Sequence, residues 1–387
     1  MSLGIGRVLR ALRDAISGHD PAWTARDEAG APGVPPAAWD TGDEEENAAA
    51  ARQYRACADA GARVLHRWYN PSTGLWHTAG WWNSANALNA VIQYTQRTGD
   101  RTYAGLIETT FGAAQRAHPR FINDYYDDNA WWALSWIGAY DLTGDRRYLE
   151  AAQVIFRQMA TGWDDVCGGG VWWTTGRTYK NAIPNELFLL LGARLHQRSG
   201  ADGEGSGYLD WAMREWQWFR DSGMIGPAGL VNDGLTSDCQ NNGGTPWTYN
   251  QGVILGGLAA LHEITGDRGY LEQGEKIARA VLRDLTSPDG ILVEPCEAQR
   301  GGCNGDQAQF KGIFIRNLYD FYRQSPEPAY REFILANARS IWVNSRNRRG
   351  QFGLRWTGPF DRADAIRHSS ALEAFNAAVG VTAPDFP

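Results

Sequence analysis

The 387-residue chain predicts an all-α fold, an (α/α)6 barrel of six inner and six outer helices. Three observations carry this expectation. The phrase T-G-D-R-x-Y recurs at 98–103, 143–148 and 265–270, and a looser copy, R-S-G-A-D, begins at Arg198 with Tyr208 following an insertion. Segments before each joint are apolar nearly all round, whereas those after it carry a charged face. Helices apolar on every side are buried, and striped ones lie outside. The joints recur every 45 to 67 residues, roughly the length of a helical pair with variable loops. Each joint has a local mechanism: Gly ends one helix in the left-handed conformation, Asp caps the next, and Tyr packs back.

Taken in order, the first outer helix is 46–69, and the inner helix W-W-N-S-A-N-A-L-N-A-V-I at 81–97 follows it. The first joint leads into the outer helix 101–117. The inner helix 128–142, A-W-W-A-L-S-W-I-G-A-Y in its centre, is almost uncharged, and the second joint begins the outer helix 145–160. Inner 184–197 pairs with outer 208–220, and inner 249–264 passes through the third complete joint to outer 267–285. Inner 306–322, outer 329–344 and inner 366–379 complete the set. Residues 46–387 therefore form one barrel domain.

Residues 1–45 differ in composition and read as a linker or disordered arm. A short basic amphipathic start is followed by Pro21, Gly30, Pro32, Gly33, Pro35 and Pro36, then by the acidic run Asp43, Glu44, Glu45 and Glu46. The start lacks the apolar core of about 7–15 residues that marks a signal peptide. A cytoplasmic location is expected on that ground, with secretion by an unrecognised route as the alternative. The five Cys are an odd number. Cys167, Cys239, Cys296 and Cys303 fall in loops without zinc-type spacing. Bridges among them would require an oxidising compartment.

A net charge of −7 argues against a nucleic-acid partner, and no apolar run is long enough to span a bilayer. The 18 Trp are unusual, and Trp81–Trp82, Trp131–Trp132 and Trp172–Trp173 are candidate sugar-binding faces. Parallel inner helices collect their N-termini at one mouth. There stand Trp82, Asn83, Asn86, Asp127, Asp128, Lys180, Asn181, Asn185 and Glu186, with Tyr249, Asn250, Gln251, Asp306, Gln307, Lys311, His368 and Ser369. Long Gly-rich loops feed this mouth, which marks it as the active site.

The adjacent carboxylates of D-D-N-A-W-W at 127–132 admit a plain reading as helix cap and dipole partner. They also suit glycosidic-bond chemistry. The retaining route needs two carboxyls about 5–5.5 Å apart, one nucleophile and one acid then base. Successive helical side chains diverge by about 100° and can provide that separation.

The chain resembles glycoside hydrolase family 76, the endo-α-1,6-mannanases. The resemblance rests on Y-Y-D-D-N-A-W-W at 125–132, C-G-G-G-V-W-W at 167–173, K-N-A-I-P-N-E-L at 180–187, T-Y-N-Q-G at 248–252 and F-K-G-I-F-I-R at 310–316. It implies a retaining mechanism with Asp127 as nucleophile and Asp128 as acid/base, and a groove for a linear α-1,6-mannan. The expected groove residues are Trp82, Asn86, Lys180, Asn181, Glu186, Asp233, Tyr249, Gln251 and Asp306. No cofactor or metal is expected, and the chain should act as a monomer. Epimerases of the same fold want paired His at the centre, and a terpene cyclase wants a further acidic residue in the Asp motif. A transglycosylase or glycan-binding protein acting on α-mannan-containing cell-wall glycans is the alternative reading.

Overall fold

A computed structural model describes residues 33–35, 44–198 and 206–383. Most of the expected arm 1–45 and of the R-S-G-A-D copy lies outside the described residues; Glu44 and Glu45, expected in the arm, begin the first helix instead.

All twelve expected helices are present. The inner six are α2 (Trp81–Thr98), α4 (Tyr126–Thr143), α6 (Ala182–His196), α8 (Thr248–Thr265), α10 (Phe310–Tyr322) and α12 (Ala365–Val381). The outer six are α1 (Glu44–His66), α3 (Gly105–Ala114), α5 (Arg146–Ala160), α7 (Ser206–Asp221), α9 (Arg268–Asp284) and α11 (Pro328–Asn344). Each inner helix packs on the next, and α12 packs back on α2 to close the ring. The inner helices are buried nearly throughout; α6, for example, buries Ala182 to Ala193 without interruption.

The joints behave largely as expected. Gly99, Gly144 and Gly266 end their helices at φ of 71°, 73° and 72°, a region a side chain disfavours. Asp145 and Asp267 cap α5 and α9 by accepting from the N–H of Arg147 and Gly269. The Thr that opens each joint adds a bond: Thr98, Thr143 and Thr265 accept from the N–H of Asp100, Asp145 and Asp267. The first joint departs from the pattern. Asp100 accepts from Thr102 in a turn, and α3 starts only at Gly105, shorter than the expected 101–117.

Sequence reading treated the segments between outer and inner helices as plain loops, yet five of them fold into small hairpins. One is the antiparallel pair β1 (Tyr69–Asn70) and β2 (Leu75–Trp76). The others are single bridges: Trp163 with Val171, Ile225 with Val231, Thr286 with Leu292, and Arg346 with Phe352. Such short hairpins leave backbone donors without a ladder partner, and buried donors must be satisfied. The fourth residue of the following inner helix does this. The N–H of Trp76 donates to Ser84, that of Val171 to Asn185, that of Val231 to Gln251, and that of Phe352 to His368 Nδ1. Asn129, fourth in α4, likewise accepts from Asn123 N–H and donates to its carbonyl. Leu292 is held instead by Asn337 of α11.

Candidate active site

A groove of about 620 Å³ opens at the N-terminal mouth. Second residues of three inner helices, Trp82, Asp127 and Tyr249, reach into it, with Asp128 and Trp131 from the start of α4 and Phe310 from the start of α10. The intervening loops contribute Tyr125, Trp173, Tyr179, Asn181, Asp233, Trp247, Asn304, Asp306 and Gln307. Among the described residues, four carboxylates line the groove, at Asp127, Asp128, Asp233 and Asp306, and no Lys or Arg does. Such a surface repels polyanions and suits a neutral, hydroxyl-rich ligand.

Neither Asp of the pair is the helix cap. Tyr125 holds that position without a side-chain cap bond, and Asp127 and Asp128 stand in the first turn of α4. Oδ2 of Asp127 accepts from Trp173 Nε1 at 3.0 Å, and Oδ2 of Asp128 accepts from Asn123 Nδ2 at 2.7 Å. Burial pushes Asp127 up to about 8, and the adjoining Asp128 adds to the rise. Burial also pushes Asp128 up to about 6, aided by the charge of Asp306 and resisted by Asn123. Two acidic groups so close titrate as a pair, and near neutral pH the pair holds one proton.

Aromatic walls flank these carboxyls. On one side Trp131 and Trp82 stack at 5.8 Å, Trp82 approaches Phe310 at 6.3 Å, and Tyr249 lies flat on Phe310 at 3.7 Å. Trp82 Nε1 donates to Asp306 at 2.8 Å, which orients both groups. On the other side Tyr125 meets Trp173 edge-on at 5.2 Å, and Tyr179 stands perpendicular to Trp173. Tyr179 donates its hydroxyl to Asp233 at 2.5 Å and accepts from Asn242. The disulfide Cys167–Cys239 ties the loop before Trp173 to the loop after Asp233. A second bridge, Cys296–Cys303, closes the loop preceding Asn304 and Asp306.

Seven of the residues expected on sequence grounds stand in the groove: Asp127, Asp128, Trp82, Asn181, Asp233, Tyr249 and Asp306. Four do not. Lys180 is buried, its ammonium donating to Asp164 and to the carbonyls of Asp164, Val166 and Gly169, so it clamps a loop. Gln251 is spent on Val231, accepting its N–H and donating to its carbonyl. Asn86 is buried and donates to the Trp82 carbonyl. Glu186 is fully buried, and burial pushes it well above the ordinary carboxyl range. Lys311 and His368, also placed at the mouth, are clamps as well. Lys311 holds Glu297 and the Leu354 carbonyl, and His368 binds Phe352 and Gly61.

Sequence reading missed Asn123, Tyr125, Tyr179, Trp247, Asn304 and Phe310. Tyr125 and Phe310 each open a quoted motif, so their positions held a signal. Tyr179, Trp247 and Asn304 sit in loops whose course only folding determines. Of the Trp pairs, Trp131 and Trp173 face the groove while Trp132 is wholly buried and Trp172 donates to Asp164.

A sequence model described as Glycosyl hydrolase family 76 matches residues 56–385. The chain is 30% identical over 264 residues to the Saccharomyces cerevisiae protein named mannan endo-1,6-alpha-mannosidase DCW1, covering 62% of this chain and 57% of that one. It is 29% identical over 272 residues to the Candida albicans protein named mannan endo-1,6-alpha-mannosidase DFG5, covering 64% and 59%. The match thus spans less than two thirds of the length of these curated relatives. A solved structure of an inactive alpha-1,6-mannanase variant from Salegentibacter sp., with two successive aspartates replaced by alanine and alpha-1,6-mannotetrose bound, is also similar. It is 25% identical with a TM-score of 0.75, and covers 85% of this chain and 99% of that one.

Proposed function

The chain belongs to glycoside hydrolase family 76, and from that premise we propose that it is an endo-acting hydrolase cleaving α-1,6-linked mannan with retention of configuration. The observation that carries the reading is the Asp127–Asp128 pair, seated between two aromatic walls in a groove that no Lys or Arg among the described residues lines. Aromatic faces cover the C–H patches of sugar rings, and Asp233, Asp306 and Asn181 accept or donate to hydroxyls. In the Salegentibacter protein the inactive variant lacks two successive aspartates and holds an alpha-1,6-mannotetrose, which supports the same assignment here.

In the first step the Asp127 carboxylate attacks the anomeric carbon while Asp128 gives its proton to the departing glycosidic oxygen. In the second, Asp128 takes a proton from water, whose oxygen displaces Asp127 from the same carbon. The single proton held near neutral pH is the stoichiometry this cycle requires. Burial in the empty groove favours that proton on Asp127. A bound sugar strips water from Asp128 and raises its proton affinity. Trp173 Nε1 and the positive end of α4 then stabilise the charge on Asp127.

The two disulfides favour an oxidising compartment, and we assign the protein to one on that ground.

The test is incubation with linear α-1,6-mannan and with α-1,2, α-1,3 and β-1,4 mannans, resolving products by size and the first-formed anomer by NMR. Internal cleavage of the α-1,6 polymer with a retained anomer is expected. Activity confined to another linkage overturns the substrate, and an inverted product overturns the nucleophile. Products longer than the substrate mean transfer instead of hydrolysis.

A further inference from the structure

The opposite pole of the barrel holds a second cavity, of about 390 Å³, among the C-terminal halves of α2, α4, α6 and α10. Its chemistry is the reverse of the groove's. Arg97, Arg194, Arg198, Arg316 and Arg323 line it, with Asp141 and Asp320 the lining carboxylates among the described residues and Glu263 and Glu373 behind Arg194 and Arg316. Cations at helix C-termini complement the dipole, which explains some arginine here. It does not explain the surplus.

Three guanidinium groups are matched: Arg198 pairs with Asp141, Arg194 with Asp320 and Glu263, and the buried Arg316 with Glu373, whose charge also acts on Arg97. Arg97 and Arg323 have no carboxylate at ion-pair distance among the described residues. The Arg97 Cζ stands 3.7 Å from the centroid of the Tyr319 ring and its Nη2 gives one hydrogen bond to Gln93, while its buried Nε has no protein partner. Contact with the ring holds the guanidinium in place, and its Nη groups are the donors left to reach an oxyanion. Ile92, Leu134, Ile137 and Leu190 form the apolar part of the wall.

We propose that this pole is a binding site for a small phosphate-class oxyanion, held by Arg97 and Arg323 and distinct from the groove. The volume admits a phosphate carried on a sugar-sized group. Neither arginine belongs to the groove, so the site is independent of the hydrolytic reading.

Equilibrium dialysis of the full chain with inorganic phosphate, at ionic strength held constant with chloride, tests it. One phosphate per chain should bind saturably. Arg97→Gln should weaken it about tenfold, the cost of one charge-assisted contact. Arg323→Gln, at an exposed position, should weaken it while leaving the melting temperature and mannan cleavage in phosphate-free buffer unchanged. Absence of saturable binding to the wild-type chain, or binding that survives both substitutions, overturns the proposal.

Discussion

Trp173 and Asp127 lie 46 residues apart, yet the indole Nε1 of the first donates a 3.0 Å hydrogen bond to Oδ2 of the second. The same indole is 36% exposed at the groove rim, so one side chain both lines the groove and binds the carboxylate. In the proposed mechanism its N–H stabilises charge on Asp127 while its face meets the sugar.

Trp173→Phe keeps the aromatic face and removes the donor. Hydrogen bonds to charged groups are worth about 1.5–3 kcal/mol, so kcat should fall about tenfold or more with KM little changed. Steady-state kinetics on α-1,6-mannan decides it: a rise in KM alone means that Trp173 only binds sugar.

The roles of the pair separate by leaving group. Asp127→Asn should abolish turnover on every substrate, because no glycosyl-enzyme can form. Asp128→Asn should recover partly on aryl mannosides with acidic leaving groups, whose departure needs no proton. The reverse pattern exchanges the two roles, and wild-type rates in both variants remove the pair from catalysis.

Activity should follow a bell with limbs near pH 6 and pH 8, the two steps of the pair. Below the lower limb both carboxyls are protonated and the nucleophile is lost; above the upper one both are ionised and no acid remains. Stability obeys the same shifts. Both folded values lie above the unfolded carboxyl value, so between them the folded state binds more protons than the unfolded one. Stability is therefore full below about pH 4 for this pair and declines as pH rises through 6 and 8. Glu186 and Glu215, buried and raised, push in the same direction. Asp127→Asn should flatten the decline in thermal melts taken between pH 5 and pH 9.

Lys180 and Asp233 should part company when mutated. Lys180→Met breaks a buried clamp and should cost roughly 3 kcal/mol of stability, while oligomannoside affinity, measured where the variant is folded, changes little. Asp233→Ala should weaken affinity by calorimetry in the Asp128→Asn background. Its stability cost is small, about 1 kcal/mol for the partner left on Tyr179. If Lys180→Met weakens binding at unchanged melting temperature, Lys180 is a sugar ligand after all.

Cys167–Cys239 encloses 72 residues, and a loop of that length is worth roughly 4 kcal/mol in the chain-entropy account. Cys239→Ser should lower the melting temperature and raise KM, since Trp173 and Asp233 stand beside the bridged loops. Cys303→Ser, which opens a seven-residue separation, should cost roughly half as much. Equal losses would mean that strain, not loop length, sets the cost.

The helices were legible because their signals are local. A residue pattern apolar on all sides, a left-handed Gly and an Asp cap act within a few positions of one another. The Asp pair was legible for the same reason, being carboxylates at the mouth of an apolar helix. The small hairpins escaped notice because each is only one or two residue pairs long, between residues that no periodicity marks.

What the sequence by itself determined was that polar residues gather at the inner-helix N-termini, and hence where the groove opens. Only the tertiary structure decided which of them enter it. Second and fourth helical residues lie about 200° apart, so Trp82, Asp127 and Tyr249 turn into the groove while Ser84, Asn129 and Gln251 turn away. Those fourth residues satisfy loop backbone that has no sheet to pair with, a demand that exists only once the loops are in place. In the sequence, Gln251 and Tyr249 look equally fit to hold a sugar; in the fold, an unpaired N–H on Val231 claims one of them.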